Sequence, residues 1–483
     1  MIFNSFTFFI FFSVFFLLYW FVFNKNLKLQ NLILLIGSYV FYAWWDWRFL
    51  SILIASSAIN FFLGIYIEKT TNPRYKKIFR WLGLLQGIGG LVLFKYFNFF
   101  INSFQEVFAT LDININIQTF NILIPLGLSY YTFKTISYLL DIDKGKIKAT
   151  TDWVSFFTYV SFFPCLLAGP IDKARTFIPQ LEKKREFNYD RAVDGLRQIL
   201  WGLFKKVVIA DNCATITDGF FTYYQYLPAS SLFLGGFFYT FQIYADFSGY
   251  SDMAIGLSRM LGFNVTKNFD FPFFSQNIAE FWRKWHISLT AWLTEYVFTP
   301  LSIAFRNLGK AGLILAIIIN FTICGIWHGA NWTYVLFGFL HGCYFIPLIL
   351  RGTMNKKKKI AKGTFLPSFV EVVNALTTFT LVMLTFIVFR AENISEAFRY
   401  YKRLFSLSLF TFPKVPTENS QAVLALFFIF LMLLVEWFKR EKDHGLQLEI
   451  KRPIYRWSIY AGIVFLIGIF MQTSETPFIY FNF

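Results

Sequence analysis

The chain has 483 residues, 56% of them hydrophobic and only 15% charged, with a formal net charge of +17. A soluble domain carries about 25% charge, so a water-soluble enzyme is excluded, and an aromatic share of 22% suits lipid contact and interfacial belts. The basic excess sits in short loops between apolar runs, the positive-inside pattern of a membrane protein rather than a nucleic-acid footprint.

A membrane span needs about 20 apolar residues. Runs at 6–23, 31–45, 49–67, 82–102, 121–140, 193–216, 231–258, 311–329, 332–350, 366–389, 420–438 and 457–473 meet or approach that length. They predict an all-α polytopic membrane protein of about 11–13 transmembrane helices in a single domain. The first run, Phe6 to Phe23, reads as a permanent span: Lys25 and Lys28 follow it rather than precede it, and no small-residue cleavage site is evident. With the N-terminus outside, Lys25 and Lys28, Lys69–Arg80, Lys144–Lys148, Lys183–Arg185, Lys356–Lys359 and Lys439–Lys442 all fall in the cytoplasm. The segment 103–120, which has no Lys or Arg, falls outside, and so do both termini.

Residues 153–170 break this parity, being apolar yet flanked by basic loops on both sides. With Pro164, Gly169 and Pro170 the segment predicts a re-entrant hairpin, which requires protein or a water-filled cavity around its irregular backbone. Residues 259–310 form a mixed insert in which Asn277 to Tyr296 reads as an amphipathic helix carrying Glu280, Arg283, Lys284 and His286. No internal repeat is visible, which disfavours an inverted-repeat transporter. Cys165, Cys213, Cys324 and Cys343 lie in or beside apolar segments without a CxxC pair and read as small buried hydrophobes, so no metal site is expected.

Histidine is scarce. His444 stands in the charged loop Lys439–Glu449 and reads as solvated, whereas His286, His328 and His341 lie in aromatic, membrane-associated sequence. Ionisable groups there are functional candidates by default. His328 follows Trp327 and precedes Gly329, Ala330 and Asn331; the small residues admit a substrate or a second backbone, and Asn331 is placed to orient the ring if helix continues. The competing reading is a hydrogen bond between helices. His286 shares a helical face with Arg283 and Thr290, which suits either a phosphate-bearing ligand or an interfacial Trp/Arg/Lys anchor. Asp246 and Asp252, around Ser248 and Gly249 in one span, are expensive unless paired or wet, and are expected to hold Arg283, line a polar tunnel or cap a helix broken at Gly249, structural pairing being favoured over proton chemistry. Lys95, Lys134 and Asp211 are further polar residues near apolar runs. No P-loop, HExxH, dinucleotide glycine pattern or GxSxG is present, which leaves a neutral imidazole acting as general base on a hydroxyl.

At these residues the chain resembles the membrane-bound O-acyltransferase family, and within it the alginate O-acetyltransferase type. The stretches that carry the resemblance are Phe41–Trp45, Pro125–Phe133, Phe162–Pro164 with Ala168–Ile171, Gln242–Gly256, Phe281–Leu289, Trp327–Ala330 and the ending Phe478–Phe481. The resemblance implies helices around a central tunnel, a catalytic histidine at His328 and a second at His286. It also implies acetyl-CoA as cytoplasmic acyl donor with no permanent cofactor, a polysaccharide acceptor, periplasmic partner proteins and the bacterial inner membrane. Arg283, Asp246, Ser248, Trp327 and Asn331 are then the expected substrate-binding residues. Two positions depart from the pattern: Lys134 stands where relatives often carry Gln, and Leu293-Thr294-Glu295-Tyr296 replaces Leu-Arg-Asp-Tyr. The alternatives are a D-alanyl transferase of teichoic-acid type, whose donor rides on a carrier protein, and a non-enzymatic polysaccharide or solute transporter.

Overall fold

The computed structural model describes residues 1–119, 123–356, 359–471 and 478–479. Parts of the expected spans 121–140 and 457–473, of the basic run Lys356–Lys359 and of the ending Phe478–Phe481 lie outside the described residues. Among those described, every regular element is helical, because in lipid only a helix or a closed barrel satisfies its own backbone groups. Among the described residues, seven helices are long and apolar enough to cross a membrane, between Trp47 and Phe470. The protein is a multi-pass membrane protein. Over their described residues the other expected spans are mostly helical but shorter or charge-bearing, the helix of 121–140 beginning only at Leu128.

The chain divides into two compact units, residues 1–195 with 257–266, and residues 196–256 with 267–483. Unit one contains α1 (Phe6–Leu17), α2 (Leu27–Ala43), α3 (Trp47–Lys69), α4 (Pro73–Leu91), α5 (Phe97–Ala109), α6 (Leu128–Asp143), α7 (Trp153–Ser161), α8 (Phe163–Leu166), α9 (Ala174–Leu181) and the start of α10 (Tyr189–Leu203). Ser5, Asn26, Asp46 and Asn72 cap α1 to α4, their side-chain oxygens accepting first-turn N–H groups. Trp44, Trp45 and Trp47, 61%, 59% and 75% exposed at the α2–α3 turn, have the placement of an interfacial belt.

Over 153–170 the chain has the short helices and buried irregular backbone that a re-entrant hairpin requires. α7 and α8 are 9 and 4 residues long, far short of a span, and the chain breaks at Phe162, just before Pro164. Residues 158–172 are buried throughout, so protein surrounds the irregular backbone. Gly127, at φ 75°, turns into α6 with its α-carbon against the Leu166 carbonyl, where a Cβ would come within 2.6 Å. Lys134 is buried on α6 and donates from Nζ to the Tyr159 carbonyl at 3.1 Å. Arg185 ties the end of this unit together, donating to the Tyr19 hydroxyl at 2.6 Å and to Gln30 at 3.1 Å with its guanidinium over the Phe263 ring.

Unit two contains the rest of α10, then α11 (Asp211–Thr222), α12 (Ala229–Met260, whose last turn belongs to unit one), α13 (Ile278–Lys284), α14 (Ile287–Leu293), α15 (Thr299–Ala304), α16 (Gly309–His328), α17 (Trp332–Tyr344), α18 (Ile346–Leu350), α19 (Phe369–Arg390), α20 (Ile394–Leu404), α21 (Asn419–Phe438) and α22 (Pro453–Phe470). A π-helical stretch, Phe204–Ala210, joins α10 to α11. α16 and α17 form a tight hairpin through Gly325 and Gly338. A Cβ on either would lie 2.1 or 2.2 Å from a carbonyl oxygen of the opposite helix, so only glycine allows the approach. The expectation of one helix over Asn277–Tyr296 is corrected: α13 and α14 are 7 residues each, broken at Trp285 and His286.

Candidate functional site

The break that separates α13 from α14 is what places His286. Trp285 leaves the helix in an extended conformation, and its indole is buried against Phe269, Phe281 and Phe386 with ring centres 5.1–5.3 Å away. His286 then turns back at φ 44°, ψ 53°, a left-handed conformation costing a non-glycine residue on the order of 1–2 kcal/mol. Residues 268–270 run alongside and take up backbone groups of the corner: Ile287 N–H donates to the Asn268 carbonyl at 2.9 Å and Asp270 N–H to the Lys284 carbonyl at 3.0 Å. Ser288 donates to Asn268 Oδ1 at 2.7 Å. The His286 ring is fully buried between Phe247, 4.7 Å away, and Trp327, 5.5 Å away. Burial holds its imidazole well below the ordinary histidine range, and the nearby His328 charge pushes the same way.

His328 is the last residue of α16, and Gly329 is extended after it. Gly329 has to be glycine, since a Cβ would sit 2.3 Å from the Tyr334 ring. The buried His328 ring packs on Trp327 (5.0 Å), Phe389 (5.3 Å) and Phe337 (6.0 Å). Trp327 therefore touches both histidines, bringing residues 42 positions apart in sequence into one aromatic enclosure. The third histidine, His341 on α17, is fully buried; its Nδ1 accepts from the Trp282 indole N–H at 3.2 Å and its Nε2 meets Thr385 Oγ1 at 3.0 Å.

Comparison with known proteins decides what this enclosure belongs to. The family model described as the membrane-bound O-acyltransferase family matches residues 146–389. The chain is 34% identical to a probable alginate O-acetylase of Pseudomonas aeruginosa, over 88% of this chain and 79% of that protein. It is 36% identical to a probable alginate O-acetylase of Azotobacter vinelandii, over 80% and 74%, and 30% identical to a peptidoglycan O-acetyltransferase of Helicobacter pylori, over 95% and 92%. The chain belongs to the membrane-bound O-acyltransferase family. It is an O-acyltransferase, and both enclosed histidines fall inside the matched region.

The acyltransferase's two α12 aspartates have partners that sequence reasoning missed. Asp246 pairs with Lys206 at 2.7 Å, and Lys206 also reaches Asp211 at 2.9 Å. Asp252 pairs with Lys205 at 2.6 Å and accepts from Gln198 at 2.8 Å, while Ser248 accepts from Lys205 at 2.8 Å. The expectation that the aspartates hold Arg283 is thus corrected. Arg283 donates to the Met354 and Lys356 carbonyls at 3.2 and 3.4 Å. The π-helical stretch lets two consecutive lysines face α12, and Gly202 against Gly249 brings the helices close enough for short bonds. The signal in the sequence was the Lys205-Lys206 pair inside an apolar run, which is affordable only with carboxylates opposite. Asp246 and Ser248 flank Phe247, so this cluster fixes the ring that touches His286.

Two more expectations change. Helix does not continue past His328, and Asn331 instead caps α17, accepting from Thr333 N–H at 3.0 Å and donating to the Glu392 carbonyl at 2.7 Å. His444 is 1% exposed rather than solvated. The adjacent Gly445 lies against the Trp201 ring, where a Cβ would come within 2.6 Å. His444 lines a water-sized cavity with Lys205, Tyr244, Ser248 and Asp252. A larger cavity of about 260 Å³ shares Phe271 and Asp443 with it and is lined by Lys267, Lys284, Lys359, Arg440 and Lys442. Another cavity, of about 330 Å³, lies where α19 meets α20 and includes Arg390, next in sequence to the Phe389 that touches His328. Among the described residues no group of His, Cys, Asp and Glu could hold a metal ion.

Proposed function

We propose that this enzyme moves an acetyl group from cytoplasmic acetyl-CoA to hydroxyls of an extracytoplasmic polysaccharide. Alginate-like and peptidoglycan-like glycans are the acceptor classes suggested by its relatives' names. The reading takes all 483 residues as one transmembrane catalytic domain of the bacterial inner membrane, both termini outside, working with periplasmic partner proteins. His328 accepts the proton of the acceptor hydroxyl as that oxygen attacks the thioester carbonyl. The tetrahedral centre collapses, the C–S bond breaks, and the thiolate recovers the proton from the imidazolium. A base such as His328 contributes about 100- to 10,000-fold, while His286, kept neutral by burial, and Arg283 help to position the donor.

The observation that carries the reading is the burial of His286 and His328 on either side of Trp327, inside the matched family region. The cavity lined by Lys267, Lys284, Lys359, Arg440 and Lys442 supports a phosphate-bearing donor, since cations outnumber the lining carboxylates. The water-sized cavity that shares Phe271 and Asp443 with it is lined by Phe269, which packs on Phe247 and so reaches the His286 ring, and Trp327 joins His286 to His328. The test is transfer of radiolabelled acetyl from acetyl-CoA in membranes containing the chain and its partner proteins. Label reaching polysaccharide or a partner, and lost in His328→Ala, supports the reading. Wild-type labelling by a stably inserted His328→Ala protein ends it.

A further inference from the structure

His341 has taken no part in the reaction described so far, yet both of its ring nitrogens are hydrogen-bonded. An indole N–H only donates, so the Trp282 contact at 3.2 Å requires Nδ1 of His341 to accept. The proton then sits on Nε2, which donates to Thr385 Oγ1 at 3.0 Å, and the Thr385 hydroxyl passes its own proton to the Val382 carbonyl at 2.8 Å. Every link is satisfied with a neutral imidazole in one tautomer.

Trp282 and Thr385 each lie four residues along the chain from a histidine of the pair or from a ring packed on one. Trp282 on α13 is four residues before His286. Phe337 precedes His341 by one turn on α17, and Phe389 follows Thr385 by one turn on α19. Phe337 and Phe389 pack on each other at 5.1 Å and both touch the His328 ring. The two helices therefore meet in two rungs: His341 with Thr385, and above it Phe337 with Phe389, the wall behind His328. Trp282 ties α13, and with it the strained His286 corner, to the lower rung.

We infer that His341 is a positioning residue that locks α13, α17 and α19 together and so sets the spacing between His286 and His328. The inference rests on the reading of those two as the reacting pair, but its own hydrogen bonds are independent of any substrate. Asn at this position keeps an acceptor near Nδ1 and loses the Thr385 link; Gln keeps a group near Nε2 and loses the Trp282 link.

The test combines kinetics with ¹⁵N-histidine spectra of the full-length enzyme in detergent, where four histidines can be assigned by substitution. The wild type shows His341 as the Nε2–H tautomer. Trp282→Phe, which keeps an aromatic ring but removes the indole N–H and part of the ring's volume, shifts the His286 and His328 signals although the indole it alters bonds to His341 and packs on Phe321. It lowers kcat for acetyl transfer about 10- to 100-fold, as expected of a small misplacement, with KM for acetyl-CoA within about twofold. His341→Gln behaves alike, and the double variant is no worse than either single one. An Nδ1–H tautomer, or a Trp282→Phe spectrum in which His341 alone moves, overturns the inference. So does loss of activity in both His341→Asn and His341→Gln with Trp282→Phe fully active, which makes His341 a proton carrier. If the wild type takes no acetyl from acetyl-CoA, the donor reading fails, and the spectra by themselves decide the role of His341.

Discussion

Two regions of unit two bury ionisable groups in opposite ways. In the lysine cluster every named charge has a short ionic or hydrogen-bonded partner: Lys205 with Asp252 and Ser248, Lys206 with Asp246 and Asp211. In the histidine enclosure the walls of His286 and His328 are aromatic faces, Phe247, Trp327, Phe337 and Phe389. Taking an ion out of water is costly unless a counter-ion replaces the lost solvation, so the first arrangement fixes charge and the second keeps an imidazole neutral until a reactant arrives. Carboxylates alone in a span therefore do not mark chemistry; their partners decide.

The contrast can be broken most strongly at His328. His328→Ala should lower acetyl transfer about 100- to 10,000-fold while its melting temperature in detergent stays near wild type. Lys206→Ala should do the reverse. It strands Asp246 and Asp211 without their cation and costs about 3–5 kcal/mol of stability, read as poor yield and early melting, with a loss of activity per folded molecule, passed through Phe247, well below that of His328→Ala. Full stability in Lys206→Ala would deny that the cluster is structural.

A smaller effect is expected where the enclosure is built by close packing. Gly325→Ala places a Cβ 2.1 Å from the Tyr334 carbonyl, so α16 and α17 must separate. It should cost about 1–3 kcal/mol, measured by thermal melting, with kcat falling alongside as His328 moves.

The pH response sharpens the contrast further. His286 is depressed in the folded protein and ordinary in the unfolded chain, near 6.5. Above that pH neither state binds its proton. As pH falls below about 6.5 the unfolded state takes the proton first, and stability should drop by up to about 1.4 kcal/mol per pH unit. His286→Gln should flatten that slope between about pH 5 and 6.5, in melting curves taken across the range. The least effect belongs to His444→Ala. It opens a gap beside Lys205 and Asp252, and a loss of about 1 kcal/mol in melting, with unchanged kcat, separates a packing role from a catalytic one.

Much of the site was legible because membrane physics narrows the options. A histidine before glycine at the end of an apolar run, and another amid Trp, Arg and Lys, stand out where ionisable groups are scarce. The helical architecture followed from apolar run length, and the irregular segment at 153–170 from its Pro and Gly, both read locally from the chain. Tertiary structure decided the pairings. The sequence placed Arg283 opposite Asp246 because both were conspicuous, but the π-helical stretch at 204–210 turned two lysines into that role. It made His444 look solvated because its loop is charged, while Gly445 packed on Trp201 carries it inside. It drew one helix through His286, where a buried Trp285 and the parallel 268–270 segment break it in two. Local periodicity determines where helices run and what each must bury. Which buried charge meets which, and which ring encloses which imidazole, depends on residues far apart in sequence and is set only when the helices pack.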